Sequence, residues 1–160
     1  MRRNTLHLGT TFMCERGVFN EIGGFDKNLW RGQDSDWLIR YRKKFELGVV
    51  PEILAGFNQH LARSGEIMEK SSLYFLKKHK AMIQEQGRFF YRKKTAAIYR
   101  DLAYQFSREN NRLKAARYSK KSILAYPIPS PGLWLILMDY YLGTQLKRKI
   151  DSIKYPGAFK

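Results

Sequence analysis

The chain has 160 residues, 44% of them hydrophobic and 14% aromatic, which excludes a disordered chain and leaves room for one domain with an appendage. Its net charge of +16 is unevenly spread: residues 1–64 hold 10 Lys/Arg against 7 Asp/Glu, and residues 65–160 hold 20 against 7. The basic second part points to an anionic partner surface, which is membrane lipid, nucleic acid or an acidic protein.

Cys14 is the only cysteine, so an intramolecular disulfide is excluded and a reducing compartment fits. Its apolar neighbours predict a buried, inert thiol. Met1-Arg2-Arg3 is not followed by a long apolar run, so no signal peptide is expected. No stretch reaches the roughly 18 apolar residues of a membrane span. The longest apolar run, Leu133 to Leu142, is interrupted by Asp139.

In chain order, Leu8 to Cys14 has the Thr, Phe and Met content of a short, partly buried strand. Glu15 to Ile22 predicts a two-turn helix with Val18, Phe19 and Ile22 on one face, ended by Gly23-Gly24. Phe25 to Gly32 reads as a loop. Asp34 to about Phe45 predicts a helix with Trp37, Leu38 and Tyr41 on its apolar side. Val49 to Phe57 reads as a second strand, at a sheet edge or starting after Pro51. Asn58 to Gly65 is a polar loop holding His60.

The remainder predicts helices. Ile67 to Gln86 is expected to be one long helix ended by Gly87. Ala96 to Arg108 places Tyr99, Leu102, Ala103 and Phe106 at helical spacing, Asn110-Asn111 turns the chain, and Leu113 to Tyr126 continues until Pro127. This hairpin resembles one tetratricopeptide unit, although a solenoid needs about three repeats or more. Pro127, Pro129 and Pro131 form a stiff linker before an amphipathic helix from Leu133 to Lys149, which closes on Lys147-Arg148-Lys149.

Three groups of residues carry chemical potential. Asp34 and Asp36 stand at a predicted helix start. A carboxylate there caps backbone N–H groups and meets the positive end of the helix dipole, or it points into a cleft as a general base. Asp36 also has Arg40 at i+4 as an ion-pair partner, which would leave Asp34 for chemistry. His60 stands alone in a loop, with no second His or Cys at zinc-like spacing, so as a ligand it would need carboxylate partners. The clusters Arg40/Arg42/Lys43/Lys44, Lys77/Lys78/Lys80, Arg92/Lys93/Lys94 and Lys147/Arg148/Lys149 read as solvated helix faces or as a contact surface. No helix-turn-helix, zinc-finger or RNP-like motif accompanies them, so nucleic acid has charge alone in its favour and is not the expected partner. The sequence holds no G-x-x-x-x-G-K-[ST], G-x-G-x-x-G or G-x-S-x-G motif.

Taken together, Gly9 through Asp26 (with Arg16 to Asp26 reading R-x-x-F-x-x-I-G-G-F-D), Arg31-Gly32-Gln33-Asp34-Ser35-Asp36-Trp37, and Gly56-Phe57-Asn58-Gln59-His60 with Ser64 resemble family 2 glycosyltransferases of the GT-A fold. The likeness covers about 55 residues, in the family's order and spacing. It implies an α/β fold for residues 1–65, the C-terminal part of a GT-A catalytic domain with a few strands and short helices. A mainly α-helical extension would follow over residues 66–126, and a Pro-rich linker with a basic helix over 127–160.

The same resemblance implies Asp34 as the catalytic base, which deprotonates an acceptor hydroxyl for in-line attack on the sugar C1 with inversion. Gln33 stands where the family often has Glu. It implies Gly23, Gly24 and Phe25 in the acceptor pocket with Asp36, and His60 at the metal or the leaving diphosphate. Trp30 is added as a sugar-stacking platform on the general affinity of aromatic faces for sugars. The implied cofactors are a divalent metal (Mn or Mg) and a nucleotide-sugar donor, and the implied acceptor is a glycan or a lipid-linked molecule.

The family's nucleotide-binding βαβ region and D-x-D metal motif belong ahead of residue 9, where only eight residues stand. The chain is therefore expected to be an acceptor-side half, with an N-terminal half encoded separately or lost, and to transfer no sugar alone. The expected location is the cytoplasm, peripheral on the cytoplasmic face of a membrane, with Leu133 to Leu142 and Lys147-Arg148-Lys149 on anionic lipid. The rival expectation is a non-catalytic basic helical module that binds an acidic protein, a nucleic acid or a membrane surface.

Overall fold

The computed structural model describes residues 12–50, 52, 64–127 and 131–142. These residues form seven α-helices and no strand: α1 (Arg16–Ile22), α2 (Gln33–Arg42), α3 (Gly65–Lys78), α4 (Lys80–Glu85), α5 (Arg88–Arg108), α6 (Arg112–Ala125) and α7 (Pro131–Leu142). The expected α/β class, a partial GT-A fold with strands at Leu8–Cys14 and Val49–Phe57, is therefore corrected to all-α for the described chain. Residues 12–14, Val49, Val50 and Glu52 run without strand pairing, and the other residues of both predicted strands lie outside the described set. A strand exists through its ladder, and among the described residues neither segment has a neighbouring strand to complete one.

Contacts divide the chain into two compact units, Met1–Phe75 and Leu76–Lys160, with the boundary inside α3. In the first unit α1 packs on α2 through aromatic rings. Trp37, almost fully buried, is the hub. Phe19 stacks on it at 5.7 Å, Phe12 meets it edge-on at 4.8 Å, and Tyr41 stacks with it at 5.5 Å. Such ring pairs add about 0.5–1.5 kcal/mol each beyond the area they bury. Cys14 is exposed, contrary to the buried thiol expected from its neighbours. The loop between α1 and α2 is fixed from within and from α3. Asp26 accepts the Asn28 N–H at 2.9 Å and the Tyr74 hydroxyl at 3.2 Å, and Leu29 is fully buried. Ser64 caps α3, its Oγ accepting the Ile67 N–H at 3.5 Å.

The second unit is built on an antiparallel hairpin of α5 and α6. Leu102, Ala103 and Phe106 of α5 and Ala115, Ala116 and Tyr118 of α6 are buried at the crossing. The small alanines let the helices approach, and the Phe106 and Tyr118 rings stack at 5.8 Å. Two polar ties complete the seam. The buried Ser122 hydroxyl donates to the Ala96 carbonyl at 2.8 Å, and Arg92 Nε donates to the Ala125 carbonyl at 2.8 Å, placing a cation at the C-terminus of α6.

The turn between the helices is specified by its two asparagines. Asn110 takes the left-handed conformation (φ 60°). The Asn110 N–H bonds to the Ser107 carbonyl and the Asn111 N–H to the Phe106 carbonyl, the pattern of a Schellman stop. Asn111 then caps α6 by accepting the Lys114 N–H at 3.1 Å. Pro131 occupies the first position of α7, where its missing N–H costs nothing. Leu133, Ile136 and Leu137 bury one face of α7.

Several helix limits differ from the sequence expectation. The helix predicted over Ile67–Gln86 is two helices broken at His79. Leu76, His79 and Ile83 nevertheless share the buried side. α5 starts at Arg88, eight residues before the predicted Ala96. α7 is described to Leu142, and the predicted continuation to Lys149 lies outside the described residues. No helix among the described residues is long and apolar enough to cross a membrane.

Candidate functional site

The start of α2 is the point on which the sequence chemistry converges. Its N-cap is Gly32, in the left-handed conformation (φ 79°, ψ 19°), with no side chain to offer the exposed N–H groups of the first turn. Asp34 supplies one partner from inside that turn, its Oδ1 accepting the Ser35 N–H at 2.9 Å. Its side chain is half-buried and makes no ion pair among the described residues. A first-turn carboxylate that meets an exposed N–H is thus combined with partial exposure and no ion pair among the described residues.

Asp36, two residues on, has the opposite environment. It is fully buried, and its Oδ2 accepts from Arg40 Nε at 3.2 Å. Arg40 continues past it. Nη1 donates to the Ile22 carbonyl at 2.7 Å and to the Gly23 carbonyl at 3.4 Å, and Nη2 donates to the Gly24 carbonyl at 2.7 Å. These carbonyls lie at and just beyond the end of α1, which carries the negative end of the helix dipole. One guanidinium therefore neutralises a buried carboxylate and closes the C-terminus of α1, using its fork of donors.

Gly23 makes this possible. Its φ of 82° with ψ of 166° is a conformation open to glycine and strained for other residues. The turn it forms aims its carbonyl at α2, where the Trp37 indole N–H also donates to it at 2.8 Å. Beside this turn lies an open, mainly apolar cleft of about 510 Å³, lined by Phe12, Phe19, Phe25 and Trp37 together with Cys14 and Arg16.

The predicted site residues thus separate into groups. Asp34 stands at the α2 start and is half-buried. Gly23 and Gly24 are held by Arg40, and Phe25 is exposed beside the cleft. Trp30 is 66% exposed on the loop before α2. Asp36 is closed off from any acceptor arriving from solvent, and its geometry is that of a structural anchor. His60 lies outside the described residues. Among the described residues no three His, Cys, Asp or Glu side chains come together to hold a metal ion, so these residues alone do not make a site for Mn or Mg.

Arg40 is the residue that sequence reasoning undervalued. Its i+4 relation to Asp36 was legible, whereas its reach to carbonyls 16 to 18 positions earlier carries no local signal. Comparison with protein-family models, with curated proteins and with solved structures finds no match to this chain.

Proposed function

We propose that residues 12–50 form the acceptor-activating part of an inverting sugar transferase resembling family 2, with Asp34 as the general base, acting at the cytoplasmic face of a membrane. The observation that carries this reading is the split between two carboxylates two positions apart. Asp36 is buried and consumed by Arg40, whereas Asp34 is half-buried and unpaired by any cation among the described residues. A base must keep an oxygen within hydrogen-bond reach of an incoming hydroxyl, and of the two Asp34 is the one neither fully buried nor paired to a cation among the described residues.

In this reading the acceptor hydroxyl gives its proton to the Asp34 carboxylate as its oxygen attacks the sugar C1. The bond from C1 to the nucleoside diphosphate breaks on the opposite face, and the anomeric centre inverts. Arg40 holds the Gly23-Gly24 turn against α2, which fixes the position of Phe25 beside the cleft. The described residues supply no set of ligands for the donor's divalent metal. The nucleotide-sugar and its metal would be held by a donor-binding half, which no segment of the given sequence resembles.

The test begins with the DNA upstream of Met1. A reading frame there that carries a D-x-D motif would be joined to this chain and assayed for transfer from nucleotide-sugars to hydroxyl acceptors. Asp34→Asn is expected to lower turnover by about 10²–10⁴-fold, the usual contribution of a general base. A joined protein in which Asp34→Asn turns over at the parent rate overturns the assignment.

A further inference from the structure

α6 and α7 leave a mixed apolar and cationic surface outside the core of the second unit. Leu113, Arg117, Lys120 and Leu124 recur at i, i+4, i+7 and i+11, which is one face of α6, and all four are exposed. Leu113 is 66% and Leu124 78% exposed. On α7 the buried face belongs to Leu133, Ile136 and Leu137, while Trp134, Met138 and Tyr141 at i, i+4 and i+7 form an exposed stripe. The Lys120 ammonium sits 4.9 Å over the Tyr141 ring. That contact brings the two stripes side by side.

Single exposed apolar residues are ordinary. A leucine, tryptophan, methionine and tyrosine array with cations set among it is a different surface. We propose that this α6–α7 face docks onto the headgroup layer of an anionic lipid bilayer, without entering it as a span. Trp and Tyr favour the boundary between headgroups and acyl chains, because one part of each ring system is apolar and another is polar. Leu113, Leu124 and Met138 supply apolar area for that boundary, and Arg117 and Lys120 meet lipid phosphates or carboxylates.

The competing occupants fit less of the surface. A second copy of the chain would bring together two bodies that each carry 20 Lys/Arg against 7 Asp/Glu over residues 65–160. An acidic polypeptide would satisfy Arg117 and Lys120 while leaving Trp134, Met138 and Leu124 without a counterpart. The twelve described residues of α7 extend about 18 Å, and no helix among the described residues is long and apolar enough to cross a membrane, so the docking proposed is along the surface. The proposal stands independently of the role of Asp34.

The experiment is vesicle flotation of the full chain with phosphatidylcholine alone and with phosphatidylcholine containing phosphatidylserine, paired with quenching of tryptophan emission by brominated acyl chains. Binding is expected to require phosphatidylserine and to weaken with salt. Arg117→Gln with Lys120→Gln is expected to reduce partitioning on the order of 10-fold. The bromolipid quenching of the parent protein should disappear in Trp134→Phe, in which Trp30 and Trp37 remain. All three substituted side chains are exposed, and circular dichroism checks that the variants fold. Equal binding to both vesicle types overturns the proposal. So does binding without quenching of Trp134, or capture of the chain by polyglutamate with no binding to vesicles.

Discussion

The carboxylate of Asp36, fully buried, lies 3.2 Å from the Arg40 Nε one helical turn later. The same guanidinium holds the carbonyls of Ile22, Gly23 and Gly24, so this pair is a polar tie between α1 and α2 beside the aromatic packing. A buried pair of this kind adds little over an apolar replacement, but removing one partner strands the other. Arg40→Met is expected to destabilise the first unit by roughly 3 kcal/mol, with Arg40→Lys only partly restoring it because an ammonium cannot reproduce the fork. Urea unfolding followed by tryptophan emission measures both. An Arg40→Met protein as stable as the parent would show that the tie is dispensable.

Asp34 is expected to behave in the opposite way. Among the described residues its side chain accepts one hydrogen bond, from the adjacent Ser35 N–H, and the residue is half-buried. Asp34→Asn keeps an acceptor for that N–H and removes only a favourable charge at the helix start, at a cost of about 0.3–1 kcal/mol. Asp36→Asn weakens a charge-assisted bond inside the protein and is expected to cost about 1.5–3 kcal/mol. The same unfolding experiment compares the two. A larger loss at Asp34 than at Asp36 would reverse the division of labour on which the assignment of the base rests.

These two aspartates also show what the sequence could and could not disclose. The i to i+4 relation of Asp36 and Arg40, the Gly-Gly stop of α1 and the apolar side of α2 are local signals, and the helices expected there are present. α6 was legible for the same reason, between the Asn110-Asn111 turn and Pro127. The first two turns of α5 were not, because Phe89, Phe90, Arg92, Lys93 and Lys94 mix aromatics and cations with no regular apolar period. The strands were read from Thr, Val and Phe content, yet strand content is a property of a pair of segments. Propensity in one segment says nothing about whether a partner is alongside. The Arg40 cluster and the approach of Gly132 to Tyr104 are likewise tertiary, joining positions that no local pattern connects.

Gly132 yields a prediction of its own. A Cβ built there would lie 2.5 Å from the Tyr104 hydroxyl oxygen and 2.9 Å from its Cε1, so α7 meets α5 where only a hydrogen fits. Gly132→Ala is expected to destabilise the second unit by about 1–3 kcal/mol through overpacking, despite alanine's better helix propensity. Tyr104→Leu shortens the opposing side chain, and in the double variant the loss from Gly132→Ala should shrink. A double-mutant cycle by thermal unfolding reads this coupling. Strictly additive losses would mean that the two residues do not press on each other.

The turn at Asn110-Asn111 tests whether the hairpin is set by its own chemistry or by helix packing alone. Asn110 holds φ at 60°, which asparagine tolerates and glycine prefers, whereas a β-branched side chain crowds the backbone there. Asn110→Gly is expected to preserve stability or raise it by up to ~1 kcal/mol, while Asn110→Val should lower it by about 1–2 kcal/mol. Asn111→Ala removes the cap on the Lys114 N–H and should cost about 1 kcal/mol. Both residues are exposed, so denaturant midpoints should move without a change in slope. If Asn110→Val unfolds at the parent midpoint, the stacked Phe106 and Tyr118 rings and the Ser122 tie hold the hairpin by themselves, and the turn follows the packing instead of directing it.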